Sequence, residues 1–445
     1  MRAPSALFTD LYELSMAQAY VGAGLEREAE FELYFRRLGP QRGYLLAAGL
    51  EAVLSALEGF AFSEDELAYL RSTGRFDDDF LDWLRAVRFR GDVFAVPEGT
   101  AVFPDEPVLR IAAPLPVAQI LETRVLNAVH YASLAATKAA RTVDAAQGRG
   151  VVDFGARRAH GEDAAITAAR SGWIGGLGGT SNMLAGQRYG LPIVGTMAHS
   201  YVEAYASELE AFRAFTERYP QTTLLVDTYD TLAGVDNVIT LARERGSDFR
   251  VSAIRIDSGD LEVLSREARR RLDAADLDQV KIIVSGGLNE TRIAELVDTG
   301  APIDGFGVGT DLVVSRDVPT LDFAYKMVSH AGQPKLKASP AKASLPGPKQ
   351  VFRYWDGGRM RADTIADADE ALPGEPLLQP VMRAGERLAA AETLDTLRER
   401  ASAQRAALPK RLRQSTPTGD PHPVAISQAL AAKTERLRKE LAAST

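Results

Sequence analysis

The chain has 445 residues, 46% hydrophobic and 25% charged, the balance of an ordinary globular protein with room for two or three domains. Its net charge of −8 gives no footing to a nucleic-acid or anionic-membrane partner, so any phosphate must be held in a local pocket of basic side chains and backbone N–H groups. Cysteine is absent, which excludes disulfides, thiolate metal sites and cysteine nucleophiles. No apolar run reaches the roughly 18 residues of a membrane span, and Asp10 and Glu13 interrupt any signal-peptide core, so the expectation is a soluble cytoplasmic enzyme.

Residues 8–22 have the pattern of a helix entered at Thr9 or Asp10, with Glu13 placed for a capping box and Tyr12 in the first turn. Residues 31–38 (FELYFRRL) alternate as a strand does, Tyr44 to Leu57 reads as a helix, and acidic helix-forming segments run from Ser63 to Val87. Residues 91–113 set Val and Phe between Gly and Pro, which predicts several short antiparallel strands. Helical patterns follow over Pro114–Asn127 and Tyr131–Gln147. A repeating βα rhythm then begins, with apolar runs at 151–155, 191–196, 223–228, 252–258, 281–287 and 304–310. Helical segments such as Val202–Tyr219, Asp236–Arg245 and Leu261–Ala275 separate them. The alternation predicts an α/β fold with a parallel sheet, most economically closed as an irregular barrel because the spacing is too uneven for a regular eightfold one. Residues 335–350 read as a loop, 351–363 as a β-hairpin around Asp-Gly, and Thr393–Arg413 as a basic helix with a solvated face.

The chemistry gathers where apolar runs end. His199 follows one of them in GTMAHSY (195–201), and side chains at the carboxyl ends of parallel strands converge on active sites. A lone histidine is more often a cap or a core residue; its neighbours make this one a candidate base, nucleophile or phosphoryl acceptor. Ser285-Gly286-Gly287 and Gly307-Val308-Gly309-Thr310 end two successive strands, and glycine turns let backbone N–H groups approach phosphate oxygens. Arg255 and Asp257 lie two residues apart, on one face of a strand end. Arginine grips carboxylate or phosphate and aspartate holds ribose hydroxyls or Mg²⁺, while an internal ion pair is the competing reading. Asp153 to Arg158 adds an aromatic ring and two guanidinium groups, and Asp227 is placed to accept a hydrogen bond from His199 and fix its tautomer. There is no G-x-x-x-x-G-K-[ST] loop, no G-x-G-x-x-G and no H-E-x-x-H, and VDTYDTLAG (226–234) lacks the second acidic residue and the Gly-Thr end of a type I phosphoribosyltransferase loop.

Together TDLYELSMAQAY (9–20), SLAATKAAR (133–141), DFGARRAHGED (153–163), GGTSNMLAG (178–186), GTMAHSYVEAY (195–205), VDTYDT (226–231), IRIDSGDL (254–261), SGGLNE (285–290) and FGVGTDLV (306–313) resemble nicotinate phosphoribosyltransferase, in that family's order and over nearly the whole chain. KQVFR (349–353) and the tail are its loosest parts.

The resemblance implies formation of nicotinate mononucleotide and pyrophosphate from nicotinate and phosphoribosyl pyrophosphate (PRPP), coupled to hydrolysis of ATP with Mg²⁺ present. It implies a homodimer of two-domain chains. Residues 1–130 and 331–445 would form an α/β sandwich built from both chain ends, and 131–330 an irregular α/β barrel. His199 falls on the transiently phosphorylated histidine, with Asp227 and Asp257 as catalytic carboxylates. The nicotinate pocket falls on Tyr12, Phe154, Arg157, Ser181, Thr196 and Arg255, and the phosphates on Lys138, Gly286, Gly287, Gly309 and Thr310. Metal ligands are not singled out. The nearest alternative, nicotinamide phosphoribosyltransferase, has an aspartate where this chain has Ser181, and a carboxylate there would repel nicotinate. Quinolinate phosphoribosyltransferase lacks the histidine turn; a phosphate-binding barrel of another activity explains SGG and GVGT but not the His199 turn together with the Tyr12 helix, and an inactive nucleotide sensor leaves His199, Arg255 and Asp257 without a use.

Overall fold

Five short apolar strands make a parallel sheet in this computed structural model, which describes residues 5–337 and 344–444. They are β1 (Gly150–Asp153), β2 (Thr223–Leu225), β3 (Ala253–Ile256), β4 (Lys281–Val284) and β5 (Gly305–Val308), in the spatial order β1-β5-β4-β3-β2. Leu224, Leu225, Ile254, Ile256, Ile282, Val284, Phe306 and Val308 are all buried, as expected of a sheet whose two faces are both covered. The sheet belongs to one of two compact units, Ala135–Pro319; the other is Met1–Leu134 with Thr320–Thr445.

The turns that follow the strands divide their polar residues between two tasks. Asp230, Asp260 and Asn289 each accept hydrogen bonds from the first turn of the next helix (Thr231–Arg245, Leu261–Ala274 and Glu290–Asp298), so they are N-caps. Asp227 and Asp257, three residues earlier in the first two turns, are left at the strand ends. Beyond β1 the sheet continues only as single parallel bridges, Asp153 to Thr180 and Thr180 to Ile193. The strand expected at 191–196 is therefore reduced to one bridge; Pro192 supplies a carbonyl to Thr180 but has no N–H to give. Among the described residues no ladder joins β2 back to Ile193. The helix expected over 202–219 is two helices, His199–Glu203 and Glu208–Arg218, the second started by the Ser207 cap.

The other unit draws its sheets from both chain ends. A seven-stranded antiparallel sheet runs 333–334, 323–330, 28–35, 109–114, 92–95, 379–383, 386–387. A four-stranded sheet runs 375–376, 349–356, 359–367, 424–426. The expected hairpin is present, and Gly357 and Gly358 turn it with positive φ at both positions. Across that hairpin the fully buried Arg353 and Asp363 form a two-pronged pair, at 3.0 and 2.7 Å. The helix expected to start at Tyr44 begins instead at Leu50, because Leu45 and Leu46 pair with Ala101 and Val102. The helix expected over Pro114–Asn127 breaks at Leu121 into Leu115–Ile120 and the start of Glu122–Ala145, which also takes in the helix expected from Tyr131. Six residues of the 335–350 loop lie outside the described residues; its flanks are joined by a hydrogen bond from the Lys337 N–H to the Ser344 hydroxyl. No helix among the described residues is long and apolar enough to cross a membrane.

Candidate active site

At the carboxyl end of β3 the Arg255 guanidinium is gripped by three partners. Nε donates to the Ser285 hydroxyl (3.0 Å), one terminal nitrogen to the Thr196 hydroxyl (2.6 Å), the other to Asp257 Oδ1 (3.1 Å). A guanidinium has five N–H donors, so one N–H on each terminal nitrogen remains uncommitted among the described residues. That is the two-pronged geometry that receives a carboxylate. The Phe154 ring lies 5.6 Å from the guanidinium carbon, which gives the fork an aromatic wall.

Phe154 is itself fixed from below. Gly307 lies in β5, where an added Cβ would stand 2.6 Å from two atoms of the Phe154 ring. Beside it, buried Asp153 accepts from the Gly155 N–H and the Thr180 hydroxyl, both at 2.7 Å, and its carbonyl accepts from the Ser181 N–H at 2.9 Å. Burial raises the Asp153 pKa, opposed by these two hydrogen bonds to its carboxylate. Ser181 is thereby held next to the aromatic residue. Arg157 sits in an exposed turn and makes no hydrogen bond or ion pair among the described residues.

A second group is built on carboxylates. Asp257 Oδ1 accepts from the Ser285 hydroxyl as well as from Arg255, while Oδ2 makes no hydrogen bond among the described residues. Asp227 Oδ2 accepts from the Asp257 backbone N–H (2.9 Å) and the Ser258 hydroxyl (2.5 Å); Oδ1 is buried without a hydrogen-bond partner among the described residues. The bond expected between His199 and Asp227 is not made. His199 Nδ1 is 3.2 Å from the Thr228 hydroxyl instead, because Asp227 is turned toward the end of β3.

The glycine turns lie beside this group. Gly286 has φ +88°, and a Cβ there would stand 2.0 Å from the Asp257 carbonyl oxygen, so only glycine permits the approach. Gly287, at φ +62°, has open space where a side chain would be. Gly309 and the exposed Thr310 open a short helix, and Asn289 ties the two turns together by donating to Asp311 at 3.0 Å.

Two expected site residues stand elsewhere. Tyr12 belongs to the unit of Met1–Leu134 with Thr320–Thr445, on the helix Leu11–Gly22, its hydroxyl pKa raised by burial and by the nearby Glu122. Lys138, expected at the phosphates, is buried and committed. Its ammonium lies 2.6 Å from Glu290 and 2.9 Å from Asp317, and Arg141 pairs with the same two carboxylates at 3.0 and 2.7 Å. Two charges already neutralise it, so it braces the helix that follows β4 and is not offered as a phosphate contact. The contacts made by Ser285, Thr228, Ser258, Thr180 and Gly307 do not show in the sequence, where Ser285 and Gly307 read only as turn residues. Small residues in turns and strands carry no signal until the fold sets them against a charge or a ring.

A parallel sheet that gathers an open guanidinium fork, an aromatic wall, uncommitted carboxylate oxygens, a histidine and two glycine turns defines an enzyme for small anionic, phosphate-bearing substrates. Comparison with known proteins is specific. Residues 7–130 match the model of the nicotinate phosphoribosyltransferase N-terminal domain and residues 150–338 that of the nicotinate phosphoribosyltransferase family. The nicotinate phosphoribosyltransferase pncB2 of Mycobacterium tuberculosis is 54% identical over 434 residues, 97% of this chain and 94% of that one. The nicotinate phosphoribosyltransferase of Bacillus subtilis is 43% identical, over 84% of this chain and 78% of that one. The crystal structure of human nicotinic acid phosphoribosyltransferase superposes with a TM-score of 0.87 at 30% identity, covering 96% of this chain and 99% of that one. The chain belongs to the nicotinate phosphoribosyltransferase family.

Proposed function

We propose that this chain joins nicotinate to PRPP, releasing pyrophosphate, at the carboxyl ends of β1 to β5. The observation that carries the reading is the Arg255 fork against the Phe154 ring, a seat for an aromatic carboxylate. The nicotinate carboxylate takes the two uncommitted N–H groups of Arg255, with the Thr196 hydroxyl beside them and Ser181 as a neutral neighbour. Arg157 is proposed as a further contact of the same substrate.

Breaking the bond between ribose C1 and pyrophosphate leaves positive charge on the sugar and negative charge on the leaving group, and the pyridine nitrogen supplies the electron pair for the new bond to C1. Backbone N–H groups at Gly286, Gly287, Gly309 and Thr310 receive the phosphates, and Asp257 faces the ribose and tolerates its positive charge. Asp227 orders Asp257 through the backbone N–H and Ser258. Mg²⁺ bound to the pyrophosphate would offset its charge, and the uncommitted oxygens of Asp227 and Asp257 fit such an ion as partners beside the substrate's own oxygens. Among the described residues no group of three or more acidic or histidine side chains forms a metal cage.

His199 is proposed to take a phosphoryl group from ATP and return it to water, coupling ATP hydrolysis to the exchange. Its Nδ1 is engaged by Thr228, which leaves Nε2 for other chemistry. With no separate nucleotide loop in the sequence, ATP is proposed to use the same glycine turns as PRPP. The wider reading places the protein in the cytoplasm as a homodimer. Its parallel unit (residues 131–330) is proposed to close as an irregular barrel, and 1–130 with 331–445 to make up a sandwich domain.

Ser181 tests the choice of substrate. The wild type is expected to use nicotinate and to leave nicotinamide nearly untouched, and Ser181→Asp is expected to lower kcat/KM for nicotinate by about a hundredfold, a few kcal/mol of like-charge repulsion in a partly desolvated pocket. A wild type that prefers nicotinamide would overturn the assignment of the fork to a carboxylate.

A further inference from the structure

Ser285 stands between the two proposed subsites. It is buried, and its hydroxyl accepts from Arg255 Nε at 3.0 Å while donating to Asp257 Oδ1, the oxygen that also receives Arg255 at 3.1 Å. Arg255, Ser285 and Asp257 thus form a closed ring of three hydrogen bonds. Arginine faces the nicotinate carboxylate on one side of it and aspartate the ribose on the other. The guanidinium is held through Nε and one terminal nitrogen by this ring, and through the other terminal nitrogen by Thr196.

We propose that the Ser285 hydroxyl couples the binding of the two substrates, an inference that rests on the assignment of Arg255 to nicotinate and Asp257 to ribose. A sugar whose hydroxyls donate to Asp257 Oδ2 immobilises that carboxylate. The fixed Oδ1 then orients the Ser285 hydroxyl, and the hydroxyl orients Nε and with it the whole guanidinium plane. Nicotinate arriving second meets a fork whose ordering has already been met, so it binds more tightly; by linkage the sugar gains the same factor from nicotinate. Ser285 is a positioning residue in this scheme and touches neither substrate.

The test is calorimetric titration of nicotinate into the full-length protein with Mg²⁺, with and without a saturating carbocyclic analogue of PRPP. That analogue keeps the hydroxyls and phosphates but cannot lose pyrophosphate. The wild type is expected to bind nicotinate at least about fivefold more tightly with the analogue present, within the usual range of coupling between sites. Ser285→Ala is expected to bind each ligand alone and to show a ratio near one, and Ser285→Thr, which restores the hydroxyl, to recover the ratio. Ser285→Cys, with similar volume and a weak donor, serves the same purpose if the alanine variant does not fold. A wild-type ratio of one, or a wild-type ratio retained in Ser285→Ala, overturns the coupling. Failure of the wild type to bind nicotinate under either condition overturns the substrate assignment on which it rests.

Discussion

Gly307 has no side chain, and the Phe154 ring occupies the room that leaves: an added Cβ would stand 2.6 Å from Cδ2 and Cε2 of the ring. A glycine that reads as a phosphate-turn residue in GVGT is therefore a seat for an aromatic wall. Gly307→Ala is expected to push the ring toward the Arg255 fork, an overpacking cost of about 1–3 kcal/mol. Steady-state kinetics should show KM for nicotinate raised about tenfold with KM for PRPP little changed. An equal rise in both would place the fault in the sheet and not in the ring.

Thr228 is the one hydrogen-bond partner of the His199 ring among the described residues. Thr228→Val keeps the shape of the side chain and removes the hydroxyl, freeing the imidazole to rotate. If His199 carries the phosphoryl group, the stimulation of product formation by ATP should fall by about tenfold, the scale of losing one orienting partner. The rate without ATP should stay within about twofold of wild type, read from product formation in paired assays with and without ATP.

Lys138 and Arg141 face Glu290 and Asp317 in a buried set of alternating charges. Lys138→Met removes one of the two cations that face these carboxylates, a change that costs about 3–5 kcal/mol when a buried pair is broken. Denaturant titration should show that loss, while KM for PRPP in the protein that remains folded stays within about threefold. A large rise in that KM at unchanged stability would return Lys138 to the phosphate site.

Glu106 adds a pH dependence in the other unit. Burial, and then the Asp363 carboxylate it faces, raise its pKa well above the usual range. Burial opposes the charge of Asp363 but is outweighed by the His422 ring nitrogen 3.3 Å away, by the two hydrogen bonds from Arg353 and by the Arg353 charge, which hold that carboxyl low. A raised folded pKa means the native state keeps a proton the unfolded chain has released. Stability from Glu106 is thus full below its unfolded pKa, about 4.3, and declines as pH rises toward the folded value. Glu106→Gln, which can keep a donor toward Asp363, should therefore raise Tm relative to wild type at pH 8 and leave it nearly unchanged at pH 4. An equal shift at both pH values would show that the proton is not held.

Much of this site could be read from the chain because βα turns put chemistry at fixed places. Arg255 and Asp257 stand two residues apart at a strand end and face the same way, and Asp227 and Asp257 are freed for the site because Asp230 and Asp260 cap the helices. What escaped the sequence depends on partners far along the chain. Thr180 reaches Asp153 across 27 residues and Ser285 reaches Arg255 across 30, and a serine in SGG reads only as a turn residue. The family resemblance alone puts Lys138 at the phosphates, and nothing near it in the chain shows its partners, Glu290 and Asp317, which come over 150 residues later. His199 was paired with the wrong neighbour for a smaller reason: Asp227 and Thr228 are adjacent, and successive side chains at a strand end point in opposite directions.

The most direct measurement incubates the purified protein with nicotinate, PRPP and Mg²⁺, with and without ATP, and follows nicotinate mononucleotide by mass. His199→Ala is run beside it. The expected result is product from the wild type, formed faster with ATP, and product from the variant at a rate ATP no longer changes. Absence of nicotinate mononucleotide from the wild type under both conditions would contradict the proposed activity, and ATP stimulation retained in His199→Ala would contradict the role given to the histidine.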